Sequence, residues 1–336
     1  MAEHDRRTLL KGAGLGVGAG LLSSLIATAE AAPGAGEIWS AEYWAKKGAV
    51  KLWLWRKRVG APSAGPAKPV VFLVHGSSNS SRSSYDLAVP GKGDYSLMNA
   101  LARYGYDVWT MDHDGYGHSG SSGNNSDIAS SVEDLKAAMP VVMKETGQGK
   151  AHFFGTSSGG IRAAAYAQAE PERVGRLALA AFTYKGNGAA EIERRRKKIA
   201  QLRASPRRKR DEKMIRSIFT RDGHPEFYDP AMIEALIADE MKFGDEVPSG
   251  TYLDMAANMP IVDPTKIKSP VLMTRGEFDG NSTNADLLDF FGQLPNGDRQ
   301  FIILPQTAHN AIYGKNRHLL IYALHNFLAE PPAAAT

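Results

Sequence analysis

Short apolar runs that alternate with helical stretches dominate the pattern of hydrophobic and polar positions along the chain. The predicted strands are residues 70–74, 106–111, 152–154, 176–182, 270–275 and 300–304, and the predicted helices are residues 96–104, 131–145, 161–169 and 316–328. Continuous apolar runs of this length are typical of strands buried on both faces of a parallel sheet. The alternation of strands with helices predicts an α/β fold with a doubly wound, mostly parallel sheet.

One long stretch interrupts this alternation. Residues 185–259 show helical periodicity and no convincing strand, which predicts a helical cap inserted into a core of residues 32–184 and 260–336. Within the stretch, residues 185–223 carry 14 Lys and Arg against 5 Asp and Glu, whereas residues 224–254 carry 8 Asp and Glu against one Lys. Because the two excesses nearly cancel, they predict a solvated subdomain held by salt bridges rather than a site for an anionic surface.

The first residues are typical of a twin-arginine export signal. Arg6 and Arg7 precede an uncharged stretch rich in Gly and Ala, and the small residues after it fit cleavage behind either Ala29 or Ala31. We therefore expect the twin-arginine machinery to export the precursor and residues 1–31 to be removed, leaving a periplasmic or secreted protein. An uncleaved N-terminal anchor is the alternative, although a Gly- and Ala-rich core anchors weakly, so no stable membrane insertion is expected after cleavage.

Composition narrows the function classes. The chain of 336 residues has no cysteine, so neither disulfides nor a thiolate metal site is expected. It has no H-E-x-x-H motif either, and the sequence predicts no metal and no cofactor. A net charge of +4 is too small to indicate a nucleic-acid partner. The oligomeric state stays open.

The segment Phe-Phe-Gly-Thr-Ser-Ser-Gly-Gly at residues 153–160 predicts a serine at a sharp turn between a strand and a helix. Gly155 and Gly159 flank Ser157 at two residues on either side, where side chains would clash in so tight a turn. Exposing the hydroxyl in this way is what a nucleophilic serine requires. Ser119 lies in a similar sequence, but it lacks the fifth glycine and a strand directly before it.

These features resemble the α/β-hydrolase fold superfamily over essentially all of the mature sequence. His75 and Gly76 follow the first buried strand, where that family has an HG turn. The segment Asp-His-Asp-Gly-Tyr-Gly-His-Ser at residues 112–119 matches the family's D-x-x-G-x-G-x-S loop, and the turn at Ser157 comes next in the expected order. The resemblance implies an α/β-hydrolase core with a catalytic acid and a catalytic histidine after later strands.

The resemblance also implies which residues these are. Asp279 is the fourth residue of a Gly-Glu-Phe-Asp turn, where the family usually places its acid; Glu277 is a nearby alternative and Asp263 a more distant one. His309 follows the last predicted strand, where the family keeps its catalytic histidine, although Ala308 stands where glycine is usual.

Two backbone groups complete the expected site. The resemblance implies an oxyanion hole formed by the N–H groups of Ser77 and Ser158. The run of serines that begins at Ser77 contains no lipase-like series of glycines, which disfavours a lipase for bulky esters.

The resulting interpretation is a serine hydrolase that cleaves a carboxylic ester or lactone of a small molecule through an acyl-enzyme. In it Ser157 attacks, His309 acts first as base and then as acid, and Asp279 orients His309. An amidase, an aminopeptidase or a carbon–carbon bond hydrolase would use the same residues, and a non-catalytic binding protein of the same fold is an alternative of another class. An aminopeptidase would want acidic residues at the pocket, for which the acidic half of the cap offers Glu226, Asp229, Glu234, Asp239 and Glu240.

Overall fold

The computed structural model describes residues 36–63 and 65–331, which contain eleven α-helices, five short 3-10 helices and ten strands. The predicted export signal, residues 1–31, lies outside the described residues. The strands are β1 (Ile38–Lys47), β2 (Val50–Val59), β3 (Val70–Val74), β4 (Asp107–Met111), β5 (Ala151–Thr156), β6 (Val174–Ala180), β7 (Arg207–Lys209), β8 (Glu246–Pro248), β9 (Val271–Gly276) and β10 (Arg299–Leu304). The helices are α1 (Ser81–Tyr85), α2 (Leu97–Arg103), α3 (Ile128–Thr146), α4 (Ser158–Ala169), α5 (Ala190–Arg196), α6 (Ile199–Ala204), α7 (Glu212–Ile218), α8 (Pro230–Glu240), α9 (Gly250–Ala257), α10 (Asn284–Gln293) and α11 (Arg317–Ala329). None of these helices is long and apolar enough to cross a membrane.

Eight of the strands form one sheet in the order β1-β2-β4-β3-β5-β6-β9-β10. Neighbours from β4 to β10 are parallel, whereas β1–β2 and β2–β4 are antiparallel. The predicted α/β fold with a mostly parallel sheet is confirmed, and each of the six predicted strands is present within two residues of its expected ends.

The antiparallel hairpin of β1 and β2 was not among the predicted strands. Strand β2 does not read as a continuous apolar run because it carries charged residues, and two of these, Arg56 and Arg58, are buried. Arg56 donates from Nε and Nη2 to the carboxylate of Asp107 on β4, over 2.8 and 2.6 Å. A buried charge is tolerated when it is paired in this way. Which residue becomes the partner depends on the order of the strands in the sheet, and the local sequence pattern does not reveal that order.

Apolar clusters cover both faces of the sheet. In β5, Phe153 belongs to the cluster packed under α3, α4 and α10, and Phe154 belongs to the cluster packed under α2 and α11. Successive side chains of a strand point to opposite faces, so a strand between two helical layers must be apolar throughout. This arrangement places the end of β5, where the serine-containing turn begins, at the carboxyl edge of the central parallel strands.

The inserted segment, residues 185–259, lies in sequence between the neighbouring strands β6 and β9 and contains α5 to α9. The expectation that it holds no strand is wrong, because β7 pairs with β8 as a two-stranded antiparallel sheet. Each of these strands has three residues, too few to show a periodic pattern. As the charge distribution predicts, salt bridges join its basic and acidic halves; the pairs are Arg207–Glu246, Arg210–Glu240 and Arg216–Glu234.

Candidate active site

Ser157 occupies the sharp turn between β5 and α4. Its φ of 57° and ψ of −128° are unusual for a residue other than glycine and indicate backbone strain at this turn. A Cβ built at Gly155 would lie 2.2 Å from the carbonyl oxygen of Gly159, and one built at Gly159 would lie 2.0 Å from that of Val74. Real Cβ atoms do not approach backbone this closely, so the turn requires both glycines.

Replacing Gly159 by alanine is therefore expected to lower the free energy of unfolding by about 3 kcal/mol or more, since backbone of two elements must move apart. Gly160 is the matched control in the same helix, because a Cβ there would lie no closer than 3.4 Å to its neighbours. Gly160→Ala should change the unfolding free energy by at most about 1 kcal/mol. Urea unfolding of both variants measures the difference, and equal midpoints for the two would contradict this account of the turn.

His309 and Asp279 extend from Ser157 as one hydrogen-bonded chain. Nε2 of His309 lies 3.0 Å from Oγ of Ser157, and Nδ1 of His309 lies 2.8 Å from Oδ1 of Asp279. Burial of Asp279 raises the pKa of its carboxyl, but the charge and hydrogen bond of His309 and the N–H of Asn281 outweigh burial and leave the pKa below its ordinary value. Asp279 is thus a carboxylate at neutral pH, which keeps the proton of a neutral His309 on Nδ1 and leaves Nε2 free to accept from Ser157.

The other acids considered from the sequence lie away from His309. Glu277 is exposed, and it accepts the N–H of Gln306 at 2.9 Å. Asp263 accepts from Thr265 and pairs with Lys266 at the surface. The structure therefore places Asp279, and neither alternative, against the imidazole.

The two N–H groups expected to form an oxyanion hole lie beside the nucleophile. Ser158 is the first residue of α4, so its N–H belongs to the helical turn whose N–H groups have no partner inside the helix. Ser77 is close to it, since the hydroxyl oxygens of Ser77 and Ser158 are 2.5 Å apart. Among the described residues, neither N–H donates to an acceptor, so both are free to receive a developing negative charge.

Buried contacts hold the turn that carries Ser77. Burial lowers the pKa of His75 well below its ordinary value, so this histidine is neutral. Its Nε2 accepts the N–H of His113 at 3.1 Å, which leaves the ring proton on Nδ1 to donate to the carbonyl of Gly76 at 2.8 Å. Arg162, from α4, donates to the carbonyl of His75 at 2.8 Å. Helix α4, which follows the nucleophile, and the turn at Ser77 are therefore held together by hydrogen bonds.

A small cavity of about 50 Å³ opens at Ser157. The core contributes Ser157, His309 and the turn at Ser77, and the inserted segment contributes Arg195, Ile218, Arg221 and Tyr252. The same four residues also line a second cavity of about 510 Å³ within the inserted segment. The space beside the nucleophile is therefore formed by both parts of the chain, and its outer wall is basic.

None of the five acidic residues that would suit a substrate amine lines the cavity at Ser157, among the residues described. Each has another partner: His224 for Glu226, the N–H of Ala231 for Asp229, Arg216 for Glu234, Lys242 for Asp239, and Arg210 with Ser80 for Glu240. The charge at the site is the reverse of what an aminopeptidase would want.

Two guanidinium groups lie against the ring of Tyr252. The guanidinium carbon of Arg195 lies 4.4 Å from the ring centre, and that of Arg208 lies 3.7 Å from it. Burial raises the pKa of the Tyr252 hydroxyl, but the positive charges of Arg208, Arg195 and Arg221 outweigh burial and lower the pKa to about 6. Tyr252 is thus expected to carry a negative charge at neutral pH.

An ultraviolet titration should reveal this tyrosinate. Because the pKa of Tyr252 is about 6, we expect the absorption band of one tyrosinate to grow in between about pH 5 and 7, well below the ordinary range near pH 10. Tyr252→Phe should lose this step. Tyr228 and Tyr313 serve as internal controls, since burial raises the pKa of both and they stay protonated in that interval. A flat spectrum of the unmodified protein across this interval would contradict the expected charge.

Several residues at the site were not predicted from the sequence. Arg195, Arg208 and Arg221 belong to the stretch interpreted as a solvated surface, and no local signal separates them from the exposed arginines beside them. Asn281 places Nδ2 at 3.3 Å from Nε2 of His309, and Asp222 accepts the N–H of His309 at 3.1 Å. Both contacts join residues distant in sequence. Within the described part of the chain, no three His, Asp or Glu side chains are grouped so as to hold a metal ion.

The sheet topology, the turn at Ser157 and the order of the site residues together define an α/β hydrolase. The chain belongs to the family described as serine aminopeptidase, S33, which matches residues 65–316. Among curated proteins, it is 35% identical over 129 residues to a 2-hydroxy-6-oxononadienedioate/2-hydroxy-6-oxononatrienedioate hydrolase of Paraburkholderia phymatum, a match that covers 36% of this chain and 39% of the relative. The corresponding protein of Burkholderia vietnamiensis is 33% identical over 125 residues. The chain thus spans about two fifths of the length of the curated relatives it matches.

Solved structures share the fold at lower identity. The 2-hydroxy-6-oxo-6-phenylhexa-2,4-dienoate hydrolase from Rhodococcus sp. strain RHA1 has a TM-score of 0.63 at 18% identity, covering 87% of this chain and all of that one. The carboxylesterase CesB from Bacillus subtilis has a TM-score of 0.61 at 17% identity, covering 87% of this chain and 93% of that one. The enol-lactonase from Burkholderia xenovorans LB400 has a TM-score of 0.58 at 18% identity, covering 86% of this chain and all of that one. The fold hosts hydrolases of several bond types, so the substrate must be argued from the site itself.

Proposed function

We propose that this protein is a serine hydrolase that cleaves the ester or lactone carbonyl of a small molecule through an acyl-enzyme. The observation that carries the proposal is the unbroken chain from Oγ of Ser157 to Nε2 of His309 at 3.0 Å, and from Nδ1 of His309 to Asp279 at 2.8 Å. A serine hydroxyl needs such a base to become nucleophilic, and the base needs such a carboxylate to hold its tautomer.

In the proposed mechanism, Oγ of Ser157 attacks the carbonyl carbon while its proton passes to Nε2 of His309. The carboxylate of Asp279 stabilises the imidazolium, and the N–H groups of Ser77 and Ser158 donate to the oxyanion. The proton on Nε2 then passes to the departing alkoxide, which leaves the acyl group on Ser157. Water attacks the acyl-enzyme, His309 accepts the proton of that water, and its return to Ser157 releases the acid.

The inserted segment acts as a cap in this proposal. It supplies Arg195, Ile218, Arg221 and Tyr252 to the cavity that contains Ser157. Ester cleavage is preferred over aminopeptidase activity because no carboxylate lines this cavity, among the described residues, to receive a substrate amine. A purely binding protein is disfavoured because such a protein has no need for a strained serine in hydrogen-bond contact with a histidine and its acid.

Two assays on the purified mature protein test the proposal. We expect hydrolysis of short p-nitrophenyl esters, and we expect a fluorophosphonate to label Ser157 covalently, with labelling abolished in His309→Ala. Labelling without turnover of any short ester would support the assignment of the catalytic residues and contradict the proposed substrate class. If neither labelling nor turnover occurs, the proposal of a serine hydrolase fails.

Carbon–carbon bond hydrolysis is the second candidate. Its support is the 35% identity over 129 residues to a hydrolase whose name describes a 2-hydroxy-6-oxo dienedioate substrate. The two candidates separate in one experiment, in which an oxo-dienedioate of that type and short esters are offered to the same preparation. A higher kcat/KM for the dienedioate would favour carbon–carbon cleavage.

We also propose that the precursor leaves the cytoplasm through the twin-arginine route, on the evidence of Arg6, Arg7 and the apolar stretch behind them. Replacing both arginines by lysine keeps the charge and is expected to leave the unprocessed precursor in the cytoplasm, because the machinery recognises the arginine pair. Fractionation and N-terminal sequencing of the exported form measure this. Undiminished export of the double variant would point to another route.

A further inference from the structure

Seven of the 15 residues that line the second cavity, which has a volume of about 510 Å³, are basic. Its cationic side chains are Arg194, Arg195, Lys198, Arg207, Arg208, Lys209 and Arg221. Glu191 is the sole carboxylate among its described lining residues, and it pairs with Arg194 at the rim while lying 4.0 Å from Arg221. A cavity of this size accommodates a small organic molecule.

Three of these arginines, Arg195, Arg208 and Arg221, lie close enough to Tyr252 for their charges to act on its hydroxyl. Arg195 is 6% exposed, and its only hydrogen bond among the described residues is from Nη1 to the sulfur of Met255, a weak acceptor. The Nε atoms of Arg208 and Arg221 are buried and have no partner among the described residues. Arg208 and Arg221 are partly buried; Arg208 also donates through Nη2 to the carbonyl of Ser77 at 2.6 Å, and Arg221 has Glu191 at 4.0 Å. A buried guanidinium group such as that of Arg195 ordinarily meets a carboxylate, because an unpaired buried charge is costly.

Contact with Tyr252 leaves N–H donors of these groups able to bind an anion. The guanidinium carbons of Arg195 and Arg208 lie 4.4 and 3.7 Å from the centre of the Tyr252 ring, and a guanidinium group has five N–H donors, all in its own plane. The oxygen of Tyr252 and the carboxylate of Glu191 face Arg194, Arg195, Arg208 and Arg221, so the cluster keeps a positive charge. Paired N–H donors of a guanidinium group match the two oxygens of a carboxylate.

The cluster lies directly beside the nucleophile. Arg195, Arg221 and Tyr252 line the small cavity at Ser157 as well as the larger one. Arg221 also lies 3.5 Å, through Nη2, from Oδ1 of Asn281, whose other side-chain atom contacts His309. A molecule that spans the two cavities would therefore have one end at the reacting serine and the other among the arginines.

We propose that Arg195, Arg208 and Arg221 bind a carboxylate of the substrate, so that the enzyme prefers esters that carry a second, anionic carboxyl group over neutral esters of the same size. This inference rests on the proposed function and names its substrate class. Charge-assisted bonds from these guanidinium groups should make the preference about ten- to hundredfold in kcat/KM.

The test compares matched substrates at constant ionic strength. Mono-p-nitrophenyl adipate is paired with its neutral methyl ester for a carboxylate on the acyl side, and 4-acetoxybenzoate is paired with its methyl ester for a carboxylate on the alcohol side. We expect the anionic member of at least one pair to have a kcat/KM about tenfold higher or more, expressed mainly in KM. Equal or lower values for the anionic members of both pairs would overturn the inference.

Variants then assign the preference to the cluster. Arg195→Met keeps the length of the side chain and its packing on Tyr252, and it should bring the ratio of anionic to neutral kcat/KM close to one. Arg196→Met is the matched control on the same helix, because Arg196 pairs with Glu193 and does not line the cavity; it should keep the ratio of the unmodified protein. If both variants keep the ratio, the carboxylate is bound elsewhere and the inference fails.

A binding measurement separates the inference from the proposed function and does not depend on a folded arginine variant. Calorimetric titration of Ser157→Ala with free adipate should show binding, whereas the corresponding neutral diol should show none. If the protein binds adipate but hydrolyses no ester, the anion site is supported and the proposed function is contradicted. If it hydrolyses esters but neither binds adipate nor prefers anionic esters, the proposed function is supported and the anion site is contradicted.

Discussion

Replacing Ser157 by alanine is expected to lower kcat for a short ester by about 10⁵- to 10⁶-fold, the largest effect of any single change in this chain. The hydroxyl is the atom that forms the acyl-enzyme, and no other hydroxyl is in hydrogen-bond contact with Nε2 of His309 among the described residues. Substrate binding and the N–H donors of Ser77 and Ser158 would remain, so a small residual rate above that in water is expected. Steady-state hydrolysis of p-nitrophenyl acetate, with burst kinetics for the unmodified enzyme, provides the measurement.

Ser119 provides the matched control, because it lies in the second sequence that resembles a nucleophile turn. Its hydroxyl donates to the carbonyl of Asp112 at 2.5 Å and accepts the N–H of Trp53 at 2.9 Å, so it joins two strands. Ser119→Ala should keep kcat within about tenfold and lower the unfolding free energy by about 1–2 kcal/mol. A Ser157→Ala enzyme that retains more than a tenth of the activity would reject Ser157 as the nucleophile.

Asp279→Asn is expected to lower kcat by about 10⁴-fold. The carboxylate Oδ1 accepts the Nδ1 proton of His309 at 2.8 Å. An amide at this position can donate to Nδ1 instead, which would put the histidine proton on Nε2 and remove the base from Ser157. An amide also carries no charge to stabilise the imidazolium that forms during attack.

The control for Asp279 is Glu277→Gln, which makes the same chemical change two residues away. Glu277 is exposed, and its carboxylate accepts only the N–H of Gln306 among the described residues, so its replacement by Gln should alter kcat by less than about twofold. Both variants should bind fluorophosphonate at rates that follow their kcat. If Glu277→Gln produced the large loss and Asp279→Asn the small one, the acid would have been assigned to the wrong carboxylate.

Much of the fold and of the candidate site follows from local sequence. The continuous apolar runs had to be strands between two helical layers, as Phe153 and Phe154 illustrate by packing in opposite clusters. The turn at Ser157 was recognisable in the sequence because a turn this tight requires glycines at fixed positions on either side of the serine. The local sequence pattern did not predict the hairpin of β1 and β2. The buried arginines of β2 are tolerated because Asp107 lies on the neighbouring strand β4 and pairs with them.

The order of the core elements, the serine at its turn and the region of each partner follow from the sequence, since spacing and steric clashes act between near neighbours. The resemblance favoured Asp279 and left Glu277 as an alternative; the packing of distant elements brings Asp279 to His309 and leaves Glu277 exposed, two residues away in the same turn. Tertiary packing also brings Arg195 into the interior beside Tyr252, while Arg196, the next residue, stays partly exposed and pairs with Glu193. The physical reason is that the direction and burial of a side chain depend on which distant elements pack together. Within a run of charged residues, the local sequence does not indicate which side chains become buried.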